Sequence, residues 1–352
     1  MIFGATCIAV MRRRAIHICW LVAPVLLIIG AHAGADELAL PPGIELIDSA
    51  AESRLLAEAR AGQADGRWLF EAALAAGGID DETSLACHRT SWQGWLAKLR
   101  PAVAACEPRR QAEAVFDYLH LHVLRGGYQS DCTDLARTLA GDGYNCVGAT
   151  VLFNSLAAAL GLRVQAIETP EHVYSLVETP AGPLEIEMTC RRWFEVIDNR
   201  AKRRALAEQT LGKPAPEAAA GRRLSAAGLV ALIYYNAGVD AIAAERFAAA
   251  AQNNFKALRL DPGNPLARGN LLATLNNWAL VHAREHDYAG AVALLVHGRR
   301  VEPLHEPFRA NLIALYQRWS DDLLAQGRRA DAKAVLARAR RDLPGEASFE
   351  ER

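Results

Sequence analysis

The chain has 352 residues, 51% of them apolar, and a formal net charge of −1. This length exceeds one ordinary domain and allows more than one sizeable core. Near-neutral charge excludes nucleic acid as a general partner, because phosphate binding needs a basic excess.

The N-terminus has the form of an export signal. Arg12, Arg13 and Arg14 precede an apolar run from Ala15 to Gly30. Ala31-His32-Ala33 and Ala33-Gly34-Ala35 then supply small-x-small cleavage sites. Residues 1–33 are therefore expected to be a signal peptide and the protein periplasmic or secreted. A membrane is a partner only if this segment stays as an anchor. The run is short for a full span of about 20 residues, and no other segment is expected to approach that length. Cleavage would remove Cys7 and Cys19 and leave Cys87, Cys106, Cys132, Cys146 and Cys190. Their number is odd, so in an oxidising compartment four can pair and one, expected to be Cys146, stays free. Local proximity suggests Cys87–Cys106 and Cys132–Cys190, with five unpaired thiols as the alternative.

Residues 34–110 read as a tether followed by a helical region. Leu55, Leu56, Ala59, Leu69, Phe70 and Leu74 place one helical pattern over 49–76, and Trp92, Trp95, Leu96 and Leu99 bury one face of the next. Phe116, Leu119 and Val123 mark a further helix, stopped by Gly126-Gly127. His120 and His122 lie on different faces and are expected to be partly exposed rather than a metal pair. A short helix is expected over 128–139, capped near Ser130 or Asp131. The helix Val147–Leu160 follows, ending at Gly161. Periodicity then changes to short β-type runs: Leu162–Glu168, His172–Thr179 and Leu184–Thr189, the last two forming a hairpin through Pro180-Ala181-Gly182-Pro183. Residues 191–212 read as a basic helix and 213–224 as a linker.

Residues 225–352 repeat. Val230, Leu271 and Leu312 are successively 41 apart, as are Tyr234, Leu275 and Tyr316, and Pro262, Pro303 and Pro344. Trp278 and Trp319, Asn270 and Asn311, and Phe247 and Tyr288 keep the same interval. Three such units predict an all-α solenoid of helix pairs, with the third copy, Arg329 at its aromatic position, as the polar cap. His282 and His286 stand four apart on one helix, but no third ligand accompanies them, so a surface pair is expected.

The chemistry concentrates in residues 143–189. Cys146 opens an apolar helix, where unpaired backbone N–H groups and the helix dipole favour a thiolate. Gly143 suits a tight entry to that helix, and Gly148 a close approach of other backbone. His172 starts a strand after Pro170-Glu171. Glu187 alternates with Leu184, Ile186 and Met188, on the face where it could accept a hydrogen bond from the imidazole and fix its tautomer. Nucleophile, base and orienting acid are the three roles implied for Cys146, His172 and Glu187. For the oxyanion, the Cys146 backbone N–H is the expected donor, with Gln129 or Asn145 as side-chain candidates.

Asn-Cys at a helix start, His-Val-Tyr at a strand start and an acid-x-Thr in the next strand together resemble the transglutaminase-like superfamily. Phe247–Pro262 and Tyr288–Pro303 resemble the second helix of tetratricopeptide repeats, whose period is shorter. The resemblance covers about residues 111–199 and 226–345 and is to bacterial exported proteins joining these parts. It implies an α+β fold: a papain-like core over 111–212, with its Cys-bearing helix on an antiparallel sheet, followed by an all-α tetratricopeptide-like solenoid. It also implies thiol-dependent acyl transfer or amide hydrolysis, with no metal or organic cofactor, on a protein or peptide recruited by the repeats. Two residues depart from the family pattern: Glu187 stands where Asp is usual, and Gly148 where Ser is frequent. The alternatives are a catalytically inactive scaffold or peptide-binding protein, and a purely structural envelope protein with Cys146 a core thiol.

Overall fold

The protein was analysed as a computed structural model, which describes residues 40–41, 43–212 and 221–349. The expected signal peptide and most of the expected linker lie outside the described residues. Among the described residues the fold is α+β, with fourteen α-helices and one four-stranded antiparallel sheet. It divides into a first unit, Asp48–Ile233, and a second made of Tyr234 onward with the segment ending at Ile47.

In the first unit, α1 (Ala50–Arg60) begins at a capping box in which Ser49 and Glu52 bond each other's backbone N–H. The sequence reads one helical pattern to residue 76, but Gly62, at φ 73°, turns the chain and Asp65 caps a second helix, α2 (Gly66–Ala76). Next come α3 (Glu82–Val103) and α4 (Pro108–His122). The short α5 (Leu135–Ala140) starts later than the sequence suggests, because Asp134 caps it rather than Ser130 or Asp131. The central helix is α6 (Cys146–Ala159), buried continuously from Cys146 to Ala157. Each of Leu152, Phe153 and Leu156 is fully buried, worth about 1.5–3 kcal/mol apiece.

Support for α6 comes from α2. Gly66 lies so close to the Ser155 carbonyl that an added Cβ would overlap it. Trp92 Nε1 donates to Ser155 Oγ at 3.2 Å, so a polar group inside α6 has its partner on α3. Beside this packing, Glu71 is fully buried and ion-paired to Arg89 (2.6 Å), Arg67 (3.1 Å) and Arg54 (3.2 Å).

The sheet has the order β3-β2-β1-β4, with β1 Val164–Thr169, β2 His172–Thr179, β3 Gly182–Ile186 and β4 Arg222–Leu224. The third strand ends three residues before the predicted limit, because the chain turns at Glu187–Cys190. Residues 222–224, expected to be linker, instead pair with β1, and Arg222 bonds Glu168 at 2.6 Å. Two helices, α7 (Trp193–Val196) and α8 (Arg200–Leu211), replace the single predicted one; they are separated around Asn199, which caps α8.

The helix α9 (Ala226–Ala243) contributes to both units. Contrary to expectation, it is long and apolar enough to cross a membrane. The structure buries its residues Leu229–Tyr234 among protein neighbours.

The second unit continues with α10 (Phe247–Leu260), α11 (Pro265–Arg284), α12 (Tyr288–Val301), α13 (Glu306–Ala325) and α14 (Arg329–Asp342), each packed on the next. The starts of α10, α12 and α14, and those of α11 and α13, step by the interval read in the sequence. The left-handed turn residues Glu245, His286 and Gly327 step likewise. Phe247 stacks on Trp278 at 6.5 Å and Tyr288 on Trp319 at 5.9 Å, the same pair one unit apart. His282 bonds Asp287 at 2.7 Å and His286 lies 3.4 Å from Asp322. No cluster of three or more His, Cys, Asp or Glu suited to a metal occurs among the described residues.

Candidate active site

Asn145 sets the position of the thiol. Its Oδ1 accepts from Gly148 N at 3.0 Å, and its Nδ2 donates to Thr133 Oγ1 at 2.7 Å. As N-cap it makes Cys146 the first residue of α6, where backbone N–H groups lack helical partners. Both amide functions of Asn145 are thereby used, so it is not free to serve an oxyanion. Asn145→Ala is expected to destabilise the first unit by about 2 kcal/mol, the upper end for a lost cap, read as a shift in urea midpoint. Exposed Gln129, the other side-chain candidate, donates its amide to the Asp142 carbonyl at 2.9 Å.

The glycines have roles other than those expected. A Cβ on Gly148 would meet only side-chain atoms at ordinary distance, so no backbone approaches closely there. The close approach is at Gly126, where a Cβ would overlap backbone atoms of Gly141, Asp142 and Gly143. Gly143 itself is crowded by the Gln129 side chain.

Sheet register brings His172 and Glu187 together. The pairing Ser175↔Ile186 places Glu187 opposite Tyr174, diagonal to His172 on the same face. Glu187 lies one residue beyond β3, in a turn closed by Cys190 N donating to Glu187 O at 3.2 Å. Its Oε2 meets His172 Nε2 at 2.5 Å, while Oε1 accepts from Thr189 N at 3.0 Å and Thr189 Oγ1 at 2.6 Å. The carboxylate is thus oriented by its own turn, and its extra methylene spans the diagonal.

Cys146, His172 and Glu187 are all buried, at 2%, 5% and 6% exposure. Burial disfavours an imidazolium, but the Glu187 charge, then the Cys146 thiol and the hydrogen bond the ring donates to Glu187, outweigh it and push His172 up to about 10. Glu187 is likewise penalised by burial, yet His172 and Thr189 hold it below the usual carboxylate range. The other ring nitrogen, His172 Nδ1, has no hydrogen bond of standard geometry. No hydrogen bond of standard geometry therefore joins this nitrogen to Cys146. This arrangement can keep a proton on the imidazole beside a sulfur nucleophile.

None of Cys87, Cys106, Cys132, Cys146 and Cys190 forms a disulfide, so the suggested pairs Cys87–Cys106 and Cys132–Cys190 are absent. Burial pushes Cys132 upward, and burial followed by the Glu187 charge pushes Cys190 up to about 11. His120, expected to be partly exposed, is buried with its ring 4.4 Å from Phe116. Burial and then the Arg191 charge bring it down to about 4, so it is neutral.

Sequence reasoning missed Tyr128. It forms a parallel bridge with Tyr144, with Gln129 N donating to the Tyr144 carbonyl at 2.8 Å. Reading 128–139 as helix hid this pairing, and no spacing signal distinguishes the tyrosine. Comparison of the chain with family models, with curated proteins and with solved structures returns no match.

Proposed function

We propose that the first unit is a transglutaminase-like cysteine acyltransferase or hydrolase. The carrying observation is the buried His172–Glu187 pair at 2.5 Å, with Cys146 among the groups that raise the proton affinity of the same ring. In this reading Cys146 Sγ attacks the carbonyl carbon of an amide, and its proton is held by His172. The C–N bond breaks, His172 delivers the proton to the departing amine, and a thioester remains. Water, deprotonated by His172, then releases an acid; an amine in its place forms a new amide. Either path regenerates the free thiol and needs no metal or organic cofactor.

The second unit is proposed as a tetratricopeptide-like solenoid that recruits a protein or peptide substrate, and the protein as periplasmic or secreted. The recurring helix starts and the repeated aromatic stacks support the solenoid. Arg12–Arg14 and the apolar run after them support export. The proposed core is 111–212 and the proposed repeats 225–352.

One observation favours the inactive scaffold: Cys146 is 2% exposed, so chemistry requires the site to open. Limited iodoacetamide treatment followed by peptide mass spectrometry decides between them. Cys132 and Cys190, each 1% exposed, are internal controls of equal burial. The enzyme reading expects Cys146 to be modified at least tenfold faster than either, a rate difference set by thiolate character rather than access. Equal slow labelling of all three favours the scaffold.

A further inference from the structure

A thiol nucleophile acting on an amide also needs a donor aimed at the oxygen that becomes negative. The polar side chains near Cys146 are mostly committed to the fold. Asn145 bonds Thr133 and Gly148, Gln129 bonds Asp142, and Thr189 bonds Glu187. Thr150 Oγ1 donates to the Val173 carbonyl.

The hydroxyl of Tyr128 is different. Backbone pairing of Tyr128 with Tyr144 lays it beside the segment that leads into Cys146, and its ring meets the Tyr144 ring edge-on at 6.4 Å. The side chain is half-buried, and its hydroxyl has no hydrogen-bond partner among the described residues. It nevertheless lies within electrostatic reach of Cys146, Glu187 and Cys190. Close approach of 126 to 141–143, which only glycine at 126 permits, fixes this placement.

We propose that the Tyr128 hydroxyl is a further catalytic residue, donating a hydrogen bond to the oxyanion formed when Cys146 attacks a carbonyl. The proposal rests on the thiol-acylation reading above. Burial, and then the negative charge that Cys146 and Glu187 can carry, push Tyr128 well above the usual phenol range, so it remains a proton donor throughout the working pH range. In the step itself the Sγ–C bond forms and the C=O π pair moves onto oxygen, where the Tyr128 O–H meets it beside the Cys146 backbone N–H. Collapse returns that pair and expels the leaving group, with the hydroxyl proton unchanged.

Two probes separate this role from a structural one. Acylation of Cys146 by p-nitrophenyl acetate builds an oxyanion; alkylation by iodoacetamide does not. Tyr128→Phe keeps the ring against Tyr144 and removes only the hydroxyl. Its acylation rate is expected to fall about 10²-fold, as for loss of one oxyanion donor, with alkylation within about twofold of wild type. Unchanged acylation overturns the role of Tyr128 alone. An equal fall in both rates also overturns it, because the loss is then one of folding or thiol reactivity. Failure of p-nitrophenyl acetate to acylate Cys146 in the wild type overturns the thiol-site reading and this proposal with it.

Discussion

Glu187→Gln is expected to slow alkylation and acylation of Cys146 about 10²-fold at pH 7, the lower end of what a positioned base contributes. Glutamine keeps the size and can still accept from Thr189, but it removes the only negative charge bonded to the His172 ring. Burial is then opposed by Cys146 alone, and the proton affinity of His172 falls. A less basic imidazole takes the thiol proton less readily. Stability should change with it by about 3 kcal/mol, as when one partner of a buried pair is removed.

The pH dependence of that loss has a defined sign. His172 is raised on folding, so its contribution is complete below 6.5 and fades as pH rises through about 10. Glu187 is lowered, so its contribution is complete above 4.5 and is lost as pH falls through its folded value. Urea unfolding should therefore show the largest gap between wild type and Glu187→Gln between these two ordinary values. A gap that widened toward pH 10 would contradict the pairing.

The second large effect is structural. Glu71→Ala is expected to destabilise the first unit by about 2–3 kcal/mol at neutral pH. Removing one partner of a buried pair costs about 3–5 kcal/mol, but Arg54, Arg67 and Arg89 keep 34%, 36% and 25% of their side-chain surface in water and rehydrate. Burial opposes the Glu71 charge, while Arg89 and Arg67 hold the group below the usual carboxylate range. The stability contribution of Glu71 is thus present above 4.5 and disappears at lower pH. Because α2 packs on α6, the same substitution should loosen the Cys146 helix, measurable as faster labelling of buried Cys132. A urea midpoint unchanged from wild type would show that the arginines alone hold α1–α3.

How far the sequence could be read depended on whether a signal was local. The strand His172–Thr179 is bounded by Pro170 and Pro180, local signals that mark both ends. The helix after Asn145 was legible because a C′ glycine, Gly161, closes one apolar run. The interval repeated through Trp278 and Trp319 survives into helix bounds, since each unit solves the same packing problem. What depended on distant pairing was not legible. Residues 222–224 look like linker until β1 offers its edge, and Tyr128 looks helical until Tyr144 pairs with it. His120 gives no sign of burial, because Phe116, Tyr144 and Phe194 reach its surroundings from three segments. The cysteine count suggested disulfides, yet pairing depends on positions that counting cannot supply. At the candidate site, the His172–Glu187 contact was readable from hairpin order and alternation. The hold of Thr189 on the carboxylate follows from a turn that the strand reading had extended through.

The most direct test is the pH profile of Cys146 alkylation in wild type and His172→Ala, followed residue by residue by mass spectrometry. If His172 holds the thiol proton, wild-type labelling of Cys146 stays nearly flat from about pH 6 to about pH 8, where an ordinary thiol gains roughly tenfold per unit. His172→Ala then restores that ordinary slope. A wild-type rate that climbs with pH as Cys132 and Cys190 do, and that His172→Ala leaves unchanged, would contradict the thiol–imidazole site.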